Sequence, residues 1–230
     1  MRLRRWKGIR FVSRAPTKAG GEVDIRVTPM ALPHVLWWHS HVQPEIDKDP
    51  ERVDNGWNWL LYVPFTSIVG TTLMRKPAAY TVGIVDDEEN RLIPCALVQL
   101  FGRYPALDEH QRKSGFVWFL STAPVSSLIS IPEYRLTEKT VPKQLGAIAL
   151  DVAVTHSFNQ YRWGRVALYA DERGGGSLLT WYRKQGMQVL PKGQRLPPVP
   201  RRLFKPSDGR YCYFTPRTAE AASKRLDYLR

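Results

Sequence analysis

The sequence predicts a mixed α/β domain built on a mostly antiparallel sheet, and three observations carry that reading. Between Tyr80 and Val125 the chain runs through three apolar, β-branched and aromatic segments separated by polar turns, the pattern of adjacent strands. Farther on, two segments with helical spacing flank one short apolar run, which adds a single crossover unit. Hydrophobic residues make up 43% of the 230 residues, enough for a sizeable core and too many for a disordered chain.

Each element follows in order. Residues 31–43, "ALPHVLWWHSHVQ", set Leu32, Val35, Leu36, Trp38 and His39 at helical spacing. Pro44, Pro50 and Pro64 break the next stretch into loop and short helix. Tyr80, Val82, Ile84 and Val85 form one strand, "DDEEN" a turn, and Leu92–Phe101 the returning strand. After a polar connection, "GFVWFLSTAPV" is the third strand, and residues 126–141 are irregular. Thr140 is the expected N-cap of a helix with Pro142 in its first turn, buried stripe Leu145, Ala149, Val152 and Ala153, and a stop at Gly164. "RVALYAD" is a short buried strand. A glycine run leads from it into the helix "SLLTWYRKQGM". "QVL" and "RYCYFT" are the last strands, the proline-rich stretch 191–209 between them is a basic loop, and "RTAEAASKRLDYL" is an amphipathic helix. The expected organisation is a basic arm over 1–26, one domain over 27–215 and a C-terminal helix over 216–230.

Charge narrows the function classes. The net charge is +13, with 8 Lys and Arg against 2 acids in residues 1–26, 10 against 3 in 191–230, and 16 against 16 between them. A neutral body with two basic ends points to an acidic partner such as tRNA, other RNA or the ribosome, the alternative being solvated tails. The candidate nucleic-acid contacts are Arg4, Arg5 and Lys7 in the first arm and Arg195, Arg201, Arg202 and Lys205 in the basic loop, with Trp6 and Phe204 placed to stack on bases. No apolar run reaches the ~18 residues of a membrane span, and the N-terminus lacks the apolar stretch of a secretory signal. Cys95 and Cys212 match no metal spacing and are read as reduced structural thiols of a cytoplasmic protein. "HSH" at 39–41 has no further ligand near it and is read as helix surface with His39 partly packed.

Residues 140–187 resemble the GNAT acetyltransferase superfamily. The matching stretches are "PKQLGAIALDVAV", "GRVALYAD" and "LLTWYRKQGM". The last is similar to the family signature A-x-x-L-Y-E-K-x-G-F, with Tyr182, Lys184 and Gly186-Met187 on its tyrosine, lysine and Gly-Phe. The resemblance implies a GNAT-like sheet whose fourth and fifth strands splay apart to admit acetyl-CoA. It implies that Leu120, Ser121 and Thr122 offer backbone to the pantetheine arm, that Gly175 and Ser177 lie beside the cofactor, and that Tyr182 protonates the departing thiolate. The pyrophosphate would rest on Lys143, Gln144, Leu145 and Gly146 at a helix start. There Ile148 stands where the family has Gly or Ala, and Pro142 lacks an amide. A second alignment makes Arg135 of "IPEYR" the phosphate arginine. Glu133, Asp171 and Glu172 are the acids within reach of a general-base role, or else solvated loop acids. The expected activity is acetyl transfer to a primary amine, on an aminoacyl-tRNA or ribosome-associated acceptor. The alternatives are a nucleic-acid- or ribosome-binding protein on a silent GNAT scaffold, and a structural subunit of a nucleoprotein assembly.

Overall fold

The computed structural model describes residues 10–72, 76–86, 91–131, 136–197 and 206–230. Eight strands form one sheet in the order β1-β2-β3-β4-β5-β6-β8-β7. Their ranges are β1 Arg14–Pro16, β2 Glu22–Pro29, β3 Pro77–Asp86, β4 Arg91–Pro105, β5 Lys113–Thr122, β6 Val166–Tyr169, β7 Gln188–Val189 and β8 Tyr211–Phe214. All neighbours are antiparallel except β5 and β6. The helices are α1 Leu32–His41, α2 Gln43–Ile46, α3 Trp59–Thr72, α4 Val125–Ile129, α5 Leu145–Asn159, α6 Gly175–Lys184 and α7 Pro216–Lys224.

Two hydrogen bonds assign the layers. His34 of α1 meets Thr81 Oγ1 at 3.1 Å, and His156 of α5 meets the Tyr80 hydroxyl at 2.8 Å. Thr81 and Tyr80 are consecutive on β3, and consecutive strand residues point to opposite faces. So α1, with α3 packed beside it, covers one face of the sheet, and α5 covers the other. Eleven residues of α5 are buried, because it is enclosed by the sheet and by α7.

Several elements depart from the sequence expectations. The basic stretch expected to be an arm enters the sheet from Arg14 onward, as β1 and β2. The helix α3 runs straight through Pro64. Pro64 itself donates no backbone bond, and burial of Trp59 and Thr66 on one side of the helix outweighs that local loss. Thr140 is not a helix cap. It turns back to bond Thr137, and α5 begins at Leu145, after Gln144 adopts φ 58°. α5 ends at Asn159, ahead of Gly164, through Tyr161 at φ 58°.

Candidate functional site

The site begins as an irregularity in β5. Opposite β4, Gln99 pairs with Phe119 and Leu100 with Val117, so Trp118 has no register partner. One extra residue on a strand is a β-bulge, which bends and twists it. The parallel pairing of β5 with β6 covers only Gly115–Val117 against Val166–Leu168, and it stops at the bulge. β5 then continues to Thr122 paired with β4 alone, its β6 side unpaired.

A cavity of about 310 Å³ fills the opening. On the α5 side its wall includes Leu120, Thr122, Gly146, Leu178, Trp181 and Tyr182; on the α1–α3 side it includes Arg52, Asp54, Trp57 and Trp118. Ser121 and Asp171 also line it. Thus Leu120, Ser121, Thr122, Asp171 and Tyr182 come together, as the sequence reading requires. The carbonyl of Thr122 is already engaged, by Arg52 Nη2 at 2.9 Å.

Tyr182 is 8% exposed, and its hydroxyl has no hydrogen bond among the described residues. Burial, with the neighbouring Cys212 thiol second, holds the phenol well above its ordinary value, so it is protonated throughout the physiological range. Cys95 and Cys212 are buried free thiols, and burial pushes each up to about 12.

A second cavity adjoins the first at Thr122, Gly146 and Trp181 and is lined by Lys143, Gln144, Leu145 and Ala147. It opens on the N-terminus of α5, which has no side-chain cap. The amides of Gln144, Leu145, Gly146 and Ala147 have no acceptor among the described residues, the arrangement that receives anions. The two departures from the family pattern fall outside this nest. Ile148 is fully buried in the core and its amide bonds Gln144 O, while Pro142 precedes the helix and forms a bridge with Thr17. Gly146 has a steric role as well: a Cβ there would stand 3.1 Å from the Trp181 ring.

The glycine run works differently from its expectation. Gly175 has φ 55° and ψ −152°, a conformation open essentially to glycine alone, and it turns the chain from a 3-10 turn into α6. Gly175 and Ser177 line neither cavity, and the Ser177 hydroxyl bonds Gly174 O. Asp171 caps that turn through the Arg173 amide at 3.0 Å. Glu172 accepts from Tyr169. His39 is exposed, and His41 stacks on Trp37. No group of His, Cys, Asp and Glu among the described residues is arranged to hold a metal. Glu133, Arg135, Arg4, Arg5, Lys7, Arg201, Arg202, Lys205, Trp6 and Phe204 lie outside the described residues. Arg195 is exposed and bridges to Pro206, away from both cavities.

Sequence reasoning missed Arg52, Asp54 and Trp57, which lie in the stretch read as loop. Asp54 is 6% exposed and accepts from Arg52 Nε and Nη2, at 2.8 and 2.7 Å, and from the Ser121 hydroxyl. The available signal was "RVDNGW", a charge pair two residues apart followed by an Asn-Gly turn and a tryptophan.

No protein-family model matches the chain, and no curated protein matches its sequence. Solved structures do match. FdhC, a nucleotide-linked sugar GNAT, aligns with a TM-score of 0.55 at 10% identity, over 96% of this chain and 99% of its own. The chain has the GNAT fold. A probable GNAT acetyltransferase from Chromobacterium violaceum aligns at 0.49 and 12% identity, over 96% of this chain and 97% of its own. A GNAT acetyltransferase from Staphylococcus aureus aligns at 0.47 and 10% identity, over 82% and 97%. In this GNAT fold the opening between β5 and β6 is the splay that the sequence resemblance implied.

Proposed function

We propose that the protein transfers an acetyl group from acetyl-CoA to a primary amine. The single observation that carries this is the bulged departure of β5 from β6, with a cavity in the gap and an uncapped helix start beside it. Acetyl-CoA supplies the activated thioester. The free amides of α5 and Lys143 hold its phosphates, and the unpaired edge of β5 beyond Val117 aligns its arm.

Tyr182 donates its proton to the leaving thiolate. Its raised proton affinity suits a dry site, because desolvation raises the affinity of the thiolate as well. On the opposite side, Arg52 and Ser121 hold the buried Asp54 carboxylate as part of the wall of the gap. Asp171, an acid of the same cleft, takes the proton that the acceptor ammonium must lose before its nitrogen attacks the thioester. The acceptor amine is presented by an acidic partner, an aminoacyl-tRNA, other RNA or the ribosome, a reading supported by the concentration of the +13 charge at the two ends.

Calorimetry with acetyl-CoA tests the cofactor half. Binding with a defined stoichiometry is expected, and absence of binding at millimolar acetyl-CoA overturns the proposal. Steep salt dependence of RNA binding is expected for the partner, and binding that is flat in salt removes it.

A further inference from the structure

Beyond the acetyl-transfer cleft lies a third cavity, a chamber of about 380 Å³ on the α3 face of the sheet. The two share Trp57, Trp118 and Arg173. Tyr62, Phe65 and Phe119 complete the apolar lining. The rings are mutually braced: Trp57 meets Phe119 edge-on at 4.9 Å, and Tyr62 stacks on Phe119 at 4.6 Å with an interplanar angle of 5°. The bulge at Trp118 sets that indole next to Phe119, at 6.1 Å and 28°.

Arg173 is the cation where the chambers join. Its side chain is half exposed, and its only ion pair among the described residues is a long one, Nε to Asp171 at 3.4 Å. Its two terminal nitrogens have no hydrogen-bond partner among the described residues, and the side chain lines both chambers. Arg52, by contrast, is consumed by Asp54 and Thr122. Aromatic walls favour a flat ring, and a guanidinium with two unused nitrogens favours a carboxylate or phosphate. They disfavour a polycation.

We infer that the acceptor amine belongs to a molecule carrying both a planar ring and an anionic group. The ring lies in the aromatic chamber, the anion meets Arg173, and the amine projects into the gap between β5 and β6. This rests on the acetyl-transfer reading. Two sources offer that chemistry, an aromatic amino acid and a nucleotide.

The test is thiol release from acetyl-CoA with amines that vary one feature at a time. Tryptophan and N6-(6-aminohexyl)-AMP carry ring and anion, tryptamine lacks the anion, glutamate lacks the ring, and spermidine lacks both. At least tenfold higher kcat/KM is expected for one of the first two, and which of them leads identifies the source. Arg173→Gln should cut the kcat/KM ratio of tryptophan to tryptamine, or of the nucleotide to its nucleoside, at least tenfold. Phe65→Ser, at an exposed position, should weaken every ring-bearing amine alike. Spermidine or glutamate matching the ring-bearing amines, or an Arg173→Gln enzyme with unaltered preference, overturns the inference. Direct binding of N-acetyltryptophan and AMP, followed by indole fluorescence and calorimetry, is the second readout. Failure of both to bind overturns it even if no amine turns over. If acetyl-CoA binds and spermidine turns over, the acetyl-transfer reading stands and the acceptor class alone falls.

Discussion

At the scale of single residues, the chemistry concentrates on two side chains with opposite fates. Tyr182 is a buried phenol with an unused hydroxyl at the gap. Replacing it by Phe should lower kcat by roughly 100-fold, the ordinary contribution of a positioned acid, and leave acetyl-CoA affinity unchanged. Parallel thiol-release kinetics and calorimetry check this, and an unaltered kcat removes Tyr182 from the reaction. His156 is the other case. Burial, aided by the Arg162 charge, lowers it from 6.5 to about 4, and Tyr80 satisfies its ring nitrogen. In the folded protein it is therefore neutral where the unfolded chain already takes up a proton. Its contribution to stability is complete above pH 6.5, falls by about 1.4 kcal/mol per pH unit as pH drops toward 4, and is gone below that. Urea unfolding across this window should show the slope, and His156→Gln should flatten it.

At the scale of elements, the decisive contacts are helix to helix and strand to strand. Gly146 lets α5 approach Trp181 of α6. Gly146→Val should cost about 1–3 kcal/mol through overpacking and should also weaken acetyl-CoA binding, because α6 must move away from the gap. Chemical denaturation and calorimetry read the two effects separately. This scale also shows what was legible in the sequence. The strands from Tyr80 to Thr122 and the helices around Ala149 and Tyr182 were visible, because apolar period and glycine punctuation are local signals. The true start of α5 was not, since Gln144 takes a left-handed conformation that nothing in "TVPKQLG" announces. The bulge was not either: a slipped register is a relation between two strands. Asp54 escaped for a related reason, because it reaches Ser121 across 67 residues of sequence.

At the scale of the whole molecule, the two ends of the described chain are fastened to each other and to the core. Ser13 bonds Leu229 O, and Arg230 reaches Arg10 O, Ser223 and the buried Asp151, at 3.0 and 2.9 Å from its two oxygens. Burial raises the Asp151 carboxyl despite the guanidinium, and Arg230 is its one ion-pair partner among the described residues. Arg230→Ala should cost about 3–5 kcal/mol, because it leaves that group unpaired in the interior. Adding Asp151→Asn should recover part of the loss, and thermal unfolding of the two variants measures the difference. Here the charge reading was only partly transferable. Arg10, Arg14 and Arg230 count toward the basic ends, yet Arg14 and Arg230 hold acids of this same chain. No helix among the described residues is long and apolar enough to cross a membrane.

The unmatched indole of β5 has one more implication. A strand shortened by that single amino acid would come back into phase with its antiparallel neighbour. It would then lose the bend that carries it away from β6 and narrow the entrance for the thioester. The same deletion would withdraw the ring that the donor and acceptor chambers have in common. Donor access and acceptor choice are thus governed from one position, and neither can be retuned there without disturbing the other.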